Sequence, residues 1–200
     1  MPKLLIATEN KGKLRELQEL LSSLSGIELV LPSQLGITLK VEETGSSYAE
    51  NATLKARAHC EASGMVVLAD DSGLEVYALD GAPGIYSARY SMKPGATDAD
   101  RRTFLLENLQ GKPRPWLAHF HAAIAVAVPG GEIRIAEGDC PGEIISEERG
   151  SNGFGYDPIF LLRERGQTMA ELAQDEKNRL SHRARAVKNA EPILKEVLGI

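Results

Sequence analysis

A chain of 200 residues with 42% hydrophobic and 26% charged side chains has the composition of a globular protein, which excludes a disordered or fibrous class. The formal net charge of −5 argues against a nucleic-acid-binding surface, and no apolar run approaches the roughly 18 residues of a membrane-spanning helix. A polyanionic ligand would therefore have to be held by a few local cations or by a metal ion. The length suits one compact domain or two closely packed lobes, and we interpret residues 1–200 as a single domain.

The cysteines and the N-terminus bear on the cellular location. Cys60 and Cys140 lie far apart and in no CxxC pattern, so the sequence predicts neither a disulfide framework nor a zinc site. The first ten residues, MPKLLIATEN, resemble an early strand and lack the features of a signal peptide. We therefore expect a cytoplasmic protein.

The first part of the chain predicts a strand, a turn and two helices. Residues 4–7 form a short apolar strand, and leucines then recur at helical spacing from Leu14 to Leu24. The turn between them, residues 8–13, would offer the N–H groups of a helix start to a phosphate, although an ordinary strand-helix connection has the same pattern. After a looser segment, the SYAE tetrapeptide at residues 47–50 predicts a capping box, which would start a helix that ends near Ala62.

The middle of the chain predicts a buried strand, a helix and a hairpin. Residues 65–69 are continuously apolar, which is typical of a strand covered on both faces, and Asp70 and Asp71 should lie at its exit. Residues 98–109 predict an amphipathic helix that turns Phe104, Leu105 and Leu109 inward. Residues 118–128 and 132–136, separated by a Pro-Gly-Gly turn, predict a β-hairpin.

The last part of the chain predicts a glycine-rich loop and further helices. The loop, residues 150–158, leads into the apolar residues 159–162, and residues 168–171 form a second capping box. Ser181 is the expected N-cap of the last helix. Because strands and helices alternate but hairpins are also present, the predicted fold class is α/β with a mixed sheet.

Two acidic pairs suggest a metal site. Glu42 and Glu43 lie in one loop, and Asp70 and Asp71 follow the buried strand. Mg²⁺ usually binds through one or two carboxylates together with waters and substrate phosphates, so two such pairs brought together would suit it. Carboxylates at loop starts also solvate turns and cap helices, which would account for either pair alone.

Two further segments suggest a ligand site. The GFGYDP loop places Phe154 and Tyr156 among glycines, where a base could stack on an aromatic ring, although a tight structural turn has the same composition. Lys177 and the pair His182 and Arg183 bring cationic groups to a helix start, which is also typical of a solvated turn.

Seven short motifs carry a resemblance to a known family. In chain order they are TxNxxK at residues 8–13, EETG at 42–45, ENAxxKA at 50–56, ADDSGLxV at 69–76, GxPGxxSARY at 81–90, GFGYDPIF at 153–160 and EKNxxSHRxxA at 176–186. Together they resemble the inosine/xanthosine triphosphate pyrophosphatases, in the order of that family and over nearly the whole chain.

This resemblance implies a fold and an activity. The fold would be a long mixed β-sheet flanked by helices, with two lobes around a central substrate cleft, and the chain would assemble as a homodimer. The activity would be Mg²⁺-dependent hydrolysis of nucleoside triphosphates with deaminated bases, namely ITP, dITP and XTP, to the monophosphate and pyrophosphate. The substrate would be a free nucleotide, with no nucleic acid or membrane as partner.

The resemblance also implies roles at the phosphate end of the substrate. The triphosphate would be bound by Lys55 and by the turn that comprises Thr8, Glu9, Asn10, Lys11, Gly12 and Lys13. Glu42 or Glu43, together with Asp71, would hold Mg²⁺. Asp71 would also activate the attacking water, with Asp70 as the alternative base. Glu9 departs from the small residue usual in the family, and we expect its side chain to point away from the phosphates.

At the base end, the resemblance implies a second set of residues. Ser72 would contact the substrate, and the base site would be lined by Phe154, Gly155, Tyr156 and Asp157. The purine's oxygen edge would be read by Lys177, His182 and Arg183. Hypoxanthine and xanthine carry an oxygen at C6 where adenine carries an amino group, so hydrogen-bond donors would separate them.

Two other functions fit the same motifs. The first is a pyrophosphatase of similar fold that acts on other modified nucleotides. The second is a non-catalytic nucleotide-binding regulator, against which the intact acidic pairs argue, because a pure binder needs no water-activating carboxylate.

Overall fold

The computed structural model describes residues 1–200. The strands are β1 (Lys3–Ala7), β2 (Glu28–Val30), β3 (Val66–Val76), β4 (Trp116–Ala127), β5 (Ile133–Ile144), β6 (Phe160–Leu162) and β7 (Gln167–Thr168). The helices are α1 (Lys11–Leu21), α2 (Tyr48–Ser63), α3 (Asp98–Leu109), α4 (Gln174–Leu180) and α5 (His182–Leu198). None of these helices is long and apolar enough to cross a lipid bilayer.

The strands form one mixed sheet in the order β2-β1-β3-β4-β5-β6-β7. β1 is parallel to both β2 and β3, with Leu5 opposite Val30 on one side and Val67 on the other. β6 is antiparallel to both β5 and β7. The predicted α/β class with a mixed sheet is therefore confirmed.

The prediction that the third strand ends before Asp70 is wrong. β3 continues through Asp70 and Asp71 to Val76, and buried apolar residues resume at Leu74 and Val76. The strand can pass through two buried carboxylates because each of them meets cations from other elements. Since successive side chains of a strand point to opposite faces, Asp70 and Asp71 project from opposite sides of the sheet.

Other boundaries also differ from the predictions. β2 lies in the segment that sequence patterns leave unassigned, and β5 extends to Ile144 rather than residue 136. The capping of α2 is confirmed in part: the Ser47 side chain accepts a bond from the Glu50 N–H, but the Glu50 carboxylate binds the N–H of Ser46 instead of Ser47. The predicted α3 agrees with the structure from Asp98 to Leu109.

The chain is divided into two compact units, neither of which is continuous in sequence. The first unit comprises Met1–Asp71, Ala122–Gly138 and Arg183–Ile200, and the second comprises Ser72–His121 and Asp139–His182. The core of the first unit packs leucines of α1 against β1, β3, β4 and α5. The core of the second unit packs α3 against aromatic and aliphatic residues, among them Phe120 and Phe160. The single domain over residues 1–200 stays a prediction.

Candidate active site

The turn after β1 is shaped by capping of α1. The Asn10 side chain accepts a hydrogen bond from the Lys13 N–H at 3.0 Å, and the Thr8 hydroxyl accepts one from the Asn10 N–H at 3.2 Å. The helix therefore begins at Lys11, so half of the predicted phosphate-binding turn is already helical. Glu9 and Lys11 are exposed, whereas Lys13 turns toward the protein.

Lys13 is paired with Asp70 inside the first unit. Its Nζ lies 2.8 Å from the Asp70 Oδ2, and the Asp70 side chain is fully buried. Burial lowers the pKa of Lys13, and the attraction of Asp70 offsets this effect only in part. Lys13 is thus a cation held close to the sheet by one carboxylate.

Asp70 is also bound by Arg183 from the start of α5. The Arg183 Nε lies 3.2 Å from Asp70 Oδ1 and its Nη2 lies 3.4 Å from Asp70 Oδ2, while its Nη1 donates to Glu16. Burial alone would raise the pKa of Asp70, but the charges of Arg183 and Lys13 outweigh it and hold that pKa far below its usual range. Asp70 is therefore an ionised carboxylate enclosed by two cations.

Glu16 is a member of this network that the sequence motifs missed. It is buried in α1, and its carboxylate accepts from Arg183. Glu16 follows Lys13 by three residues, which places both side chains on one face of the helix. A glutamate three residues after a motif lysine was the available signal in the sequence.

Asp71 belongs to a second network on the other face of β3. Its Oδ1 lies 2.9 Å from the Lys55 Nζ, and its Oδ2 accepts from the Asn51 side chain at 3.3 Å. The Lys55 Nζ lies 3.0 Å from the Glu43 Oε1. Asn51 also accepts a hydrogen bond from the N–H of Gly45, which ties the EETG loop to α2. The two acidic segments therefore meet at Lys55, four residues after Asn51 on the same helix.

Of the two neighbouring glutamates, the structure brings Glu43 to Asp71. Glu42 is exposed, whereas Glu43 is half-buried and contacts Lys55. Asn51 is a second residue absent from the predicted site, although its position four residues before Lys55 on one helix face was visible in the sequence.

The ionisation of Asp71 differs from that of Asp70. Burial raises the pKa of Asp71, and the nearby cations Lys55 and Lys13 oppose the shift without cancelling it. For Lys55, burial alone would lower the pKa, but Asp71 and Glu43 together outweigh it and the pKa is raised. Lys55 is therefore a firmly charged ammonium, and Asp71 is the more basic of the two aspartates.

The carboxylates that contact Lys55 are oxygen ligands of the kind that a hard divalent ion prefers. Glu43 and Asp71 each place a carboxylate oxygen within 3.0 Å of the same nitrogen. No group of three or more His, Cys, Asp or Glu side chains in the structure is arranged to hold a metal ion. Two carboxylates fit Mg²⁺ bound mainly through waters and phosphate oxygens, which is its usual mode.

The second unit contains the cluster of Phe154, Asp157 and Lys177. The Lys177 Nζ lies 2.5 Å from the Asp157 Oδ2 and 5.1 Å from the centre of the Phe154 ring. The same Asp157 oxygen accepts from the Phe154 N–H at 2.9 Å. Gly153 permits this arrangement, because a Cβ there would lie 2.0 Å from the Asp157 oxygen and its φ is +76°.

Tyr156 and His182 are buried in the second unit. The Tyr156 hydroxyl donates to the Ser87 carbonyl at 2.9 Å, so its ring belongs to the core. The His182 ring stacks on Phe120 with ring centres 4.7 Å apart. Ser72 is the first residue of this unit and lies in β3 directly after Asp71.

The predicted site residues thus fall into two groups, one in each unit. The first unit contains the phosphate-turn residues, Glu42, Glu43, Lys55, Asp71 and Arg183. The second unit contains Ser72, the aromatic loop from Phe154 to Asp157, Lys177 and His182.

The chain is similar to members of one protein family over nearly its whole length. Residues 4–193 match the sequence model of the Ham1 family. A dITP/XTP pyrophosphatase from Desulforamulus reducens is 48% identical over 193 residues, which covers 96% of this chain and 95% of that protein. A dITP/XTP pyrophosphatase from Geobacillus kaustophilus is 46% identical over 200 residues, covering 100% of this chain and 97% of that protein.

Solved structures are similar over nearly the whole chain. A HAM1 protein from Coxiella burnetii is 42% identical with a TM-score of 0.88, covering 98% of this chain and 100% of that one. A nucleoside-triphosphatase, or dITP/XTP pyrophosphatase, from Mycobacterium abscessus is also 42% identical, with a TM-score of 0.76 and coverage of 96% and 99%.

Proposed function

The chain belongs to the Ham1 family, and from that premise we propose that it hydrolyses ITP, dITP and XTP to the monophosphate and pyrophosphate. This activity removes deaminated purine nucleotides from the nucleotide pool. The observation that carries the proposal is the position of the Lys55 ammonium between Glu43 and Asp71. A cation between two carboxylates suits a site that must bind both phosphates and a metal ion.

The first unit would bind the triphosphate. Lys13 and Lys55 supply two ammonium groups, which are close enough for the charge of Lys55 to lower the pKa of Lys13. The start of α1 supplies backbone N–H groups and the positive end of a helix dipole. Phosphoryl transfer is catalysed mainly by positioning and by stabilisation of charge, so these groups form a sufficient cationic environment. No covalent nucleophile is required.

Asp71 is the proposed general base. Its carboxylate is in direct contact with one cation, Lys55, whereas that of Asp70 contacts both Lys13 and Arg183, so Asp71 is the better placed to take a proton from the attacking water. Asp70 is less suited to this role, because Lys13 and Arg183 stabilise its ionised form and lower its basicity. We therefore assign water activation to Asp71 and the placement of Lys13 to Asp70.

Glu43 and Asp71 would hold Mg²⁺. The bound ion would supply positive charge next to the phosphate oxygens and the pyrophosphate leaving group. Lys55 contacts both carboxylates and would hold them at a fixed separation. Its ammonium group would also turn toward a phosphate oxygen. Asn51 would restrain the second Asp71 oxygen, so that the carboxylate keeps one orientation.

The second unit would bind the base. Phe154 offers an aromatic face, and Lys177 and His182 are candidate donors to the oxygen at C6 of the purine. Asp157 would orient Lys177 through their ion pair, and Ser72 and Gly155 would complete this part of the substrate site. The Tyr156 ring lies in the core, so Tyr156 would contribute through its backbone. Arg183 is bonded to Asp70 and Glu16, so a base contact by Arg183 would have to be made with the rest of its guanidinium.

A substrate panel tests the proposal. Purified protein with Mg²⁺ should release pyrophosphate from ITP and XTP much faster than from ATP or GTP, and a chelator should abolish the release. Orthophosphate as the first product would contradict the mechanism. Faster turnover of methylated or pyrimidine nucleotides would identify a related pyrophosphatase, and tight ITP binding without turnover would identify a non-catalytic regulator. The homodimer and the cytoplasmic location stay predictions from the family resemblance and the sequence.

A further inference from the structure

Helix α3 holds both backbone polar groups of Gly155. The Asp98 Oδ2 accepts from the Gly155 N–H at 2.8 Å, and the Arg102 Nη1 donates to the Gly155 carbonyl at 2.8 Å. Asp98 and Arg102 are four residues apart, so they lie on one face of the helix. None of the sequence motifs includes either residue.

Both side chains are themselves held in place. The Arg102 Nε and Nη2 form a bidentate pair with Glu148 at 2.8 and 2.9 Å, and the Arg102 side chain is 12% exposed. Arg101 binds Asp98 at 2.5 Å and the Ala96 carbonyl at 2.8 Å. Bidentate arginine-carboxylate pairs restrict geometry as well as adding energy. The atoms that bind Gly155 therefore have little freedom to move.

Gly155 lies in the glycine-rich loop between Phe154 and Tyr156. Gly155 has a φ of +62° and no side chain, so only its backbone can be anchored. Its N–H belongs to the peptide group that follows Phe154, and its carbonyl belongs to the peptide group that precedes Tyr156. Asp98 and Arg102 thus fix the orientation of the two peptide groups between Phe154 and Tyr156. The first of these groups adjoins Phe154, whose ring lies against the Lys177 ammonium.

We propose that Asp98 and Arg102 are positioning residues for base recognition, which act through the backbone of Gly155. This inference rests on the proposed function, in which Phe154 and Lys177 contact the purine. A loosened Gly155 would let Phe154 move away from Lys177, so the base would be bound more weakly while the triphosphate groups and Asp71 stay in place. The loss should therefore appear in KM and in base discrimination, with little change in kcat.

The test compares Arg102→Ala and Asp98→Ala with the wild type. Loss of one hydrogen bond to a charged group predicts an increase in the KM for ITP of about tenfold, with kcat changed about twofold or less. The ratio of kcat/KM for ITP to that for ATP should fall in parallel. The inhibition constant of inorganic tripolyphosphate, which has three phosphates and no base, should stay at the wild-type value.

Two further variants separate positioning from general destabilisation. Asp98→Asn keeps an oxygen that accepts from Gly155 and should retain the KM for ITP within about twofold. Lys93→Ala removes an exposed ion pair with Asp100 of the same helix and should change none of these constants.

Three outcomes would overturn the inference. They are an unchanged KM for ITP in both alanine variants, an equal loss of affinity for ITP and tripolyphosphate, and a lowered kcat at constant KM. Failure of the proposed function is distinguishable, because the wild-type protein itself would then show no preference for ITP over ATP.

Discussion

Asp70 and Asp71 are adjacent in β3 but are in direct contact with different cations. Asp70 is enclosed by Lys13 and Arg183, and its pKa is lowered. Asp71 contacts Lys55 and Asn51, and its pKa is raised by burial. The alternation of side chains along a strand separates them, so one aspartate is suited to organise cations and the other to accept a proton.

Replacing Asp71 with asparagine should abolish most turnover. Asparagine preserves size and hydrogen bonding but cannot take a proton, and loss of a general base typically costs about 10² to 10⁴ in rate. The measurement is kcat for ITP, with circular dichroism as the control for folding. Near-normal turnover would transfer the role of base to Asp70.

Replacing Asp70 with asparagine should instead lower stability. The change leaves the charges of Lys13 and Arg183 without their shared carboxylate, and removing one partner of a buried ion pair costs about 3 to 5 kcal/mol. Glu16→Gln should destabilise in the same direction, because Glu16 binds Arg183 from α1. Urea unfolding measures both variants, and a free energy of unfolding equal to that of the wild type would contradict the network.

Acid should weaken the folded state through Asp70. Because the pKa of Asp70 in the folded protein lies below its ordinary value of 3.8, its stabilising contribution is complete well above that value. The contribution is lost as the pH falls below 3.8 toward the folded-state pKa. The free energy of unfolding should therefore fall more steeply with acid in the wild type than in Asp70→Asn, and equal slopes would refute the assignment.

Substitution of Glu43 tests the proposed metal site, and the same substitution of Glu42 is the control. Glu43→Gln should raise the Mg²⁺ concentration for half-maximal activity by about tenfold, because a neutral amide replaces one of two proposed carboxylate ligands. Glu42→Gln removes the same charge from the exposed neighbour and should change that concentration by about twofold or less. The reverse pattern would assign the metal to Glu42.

Gly153→Ala should disrupt the base-binding cluster. The new Cβ would lie 2.0 Å from the Asp157 Oδ2 and 2.9 Å from the Lys177 Nζ, so the ion pair would have to move. We expect the KM for ITP to rise at least about tenfold, as for the loss of one charged hydrogen bond. Gly166→Ala is the control, because Gly166 has a similar φ of +65° and open space around it. An equal effect of both changes would show that backbone strain alone is responsible.

Much of the fold was predictable because its signals are local. The bounds of α3, the start of α2 after Ser47 and the second capping box at Thr168 depend on residues within one helical turn of each other. The apolar run of β3 and the glycine-rich loop are also local patterns. The seven motifs identified the family for the same reason, since each of them is a short continuous segment.

The ion networks were not predictable from such patterns. Arg183 lies 113 residues from Asp70 and 167 residues from Glu16 in sequence, and only the packing of α5 near β3 and α1 brings their charges together. That packing also explains why β3 does not end at its aspartates: a carboxylate can be buried in a strand when a distant cation neutralises it. The sequence alone therefore determined the family and most of the elements, and it named the residues of the proposed site. Only the tertiary structure decided which cation lies next to each carboxylate, because Coulomb attraction depends on distance in space and not on separation along the chain.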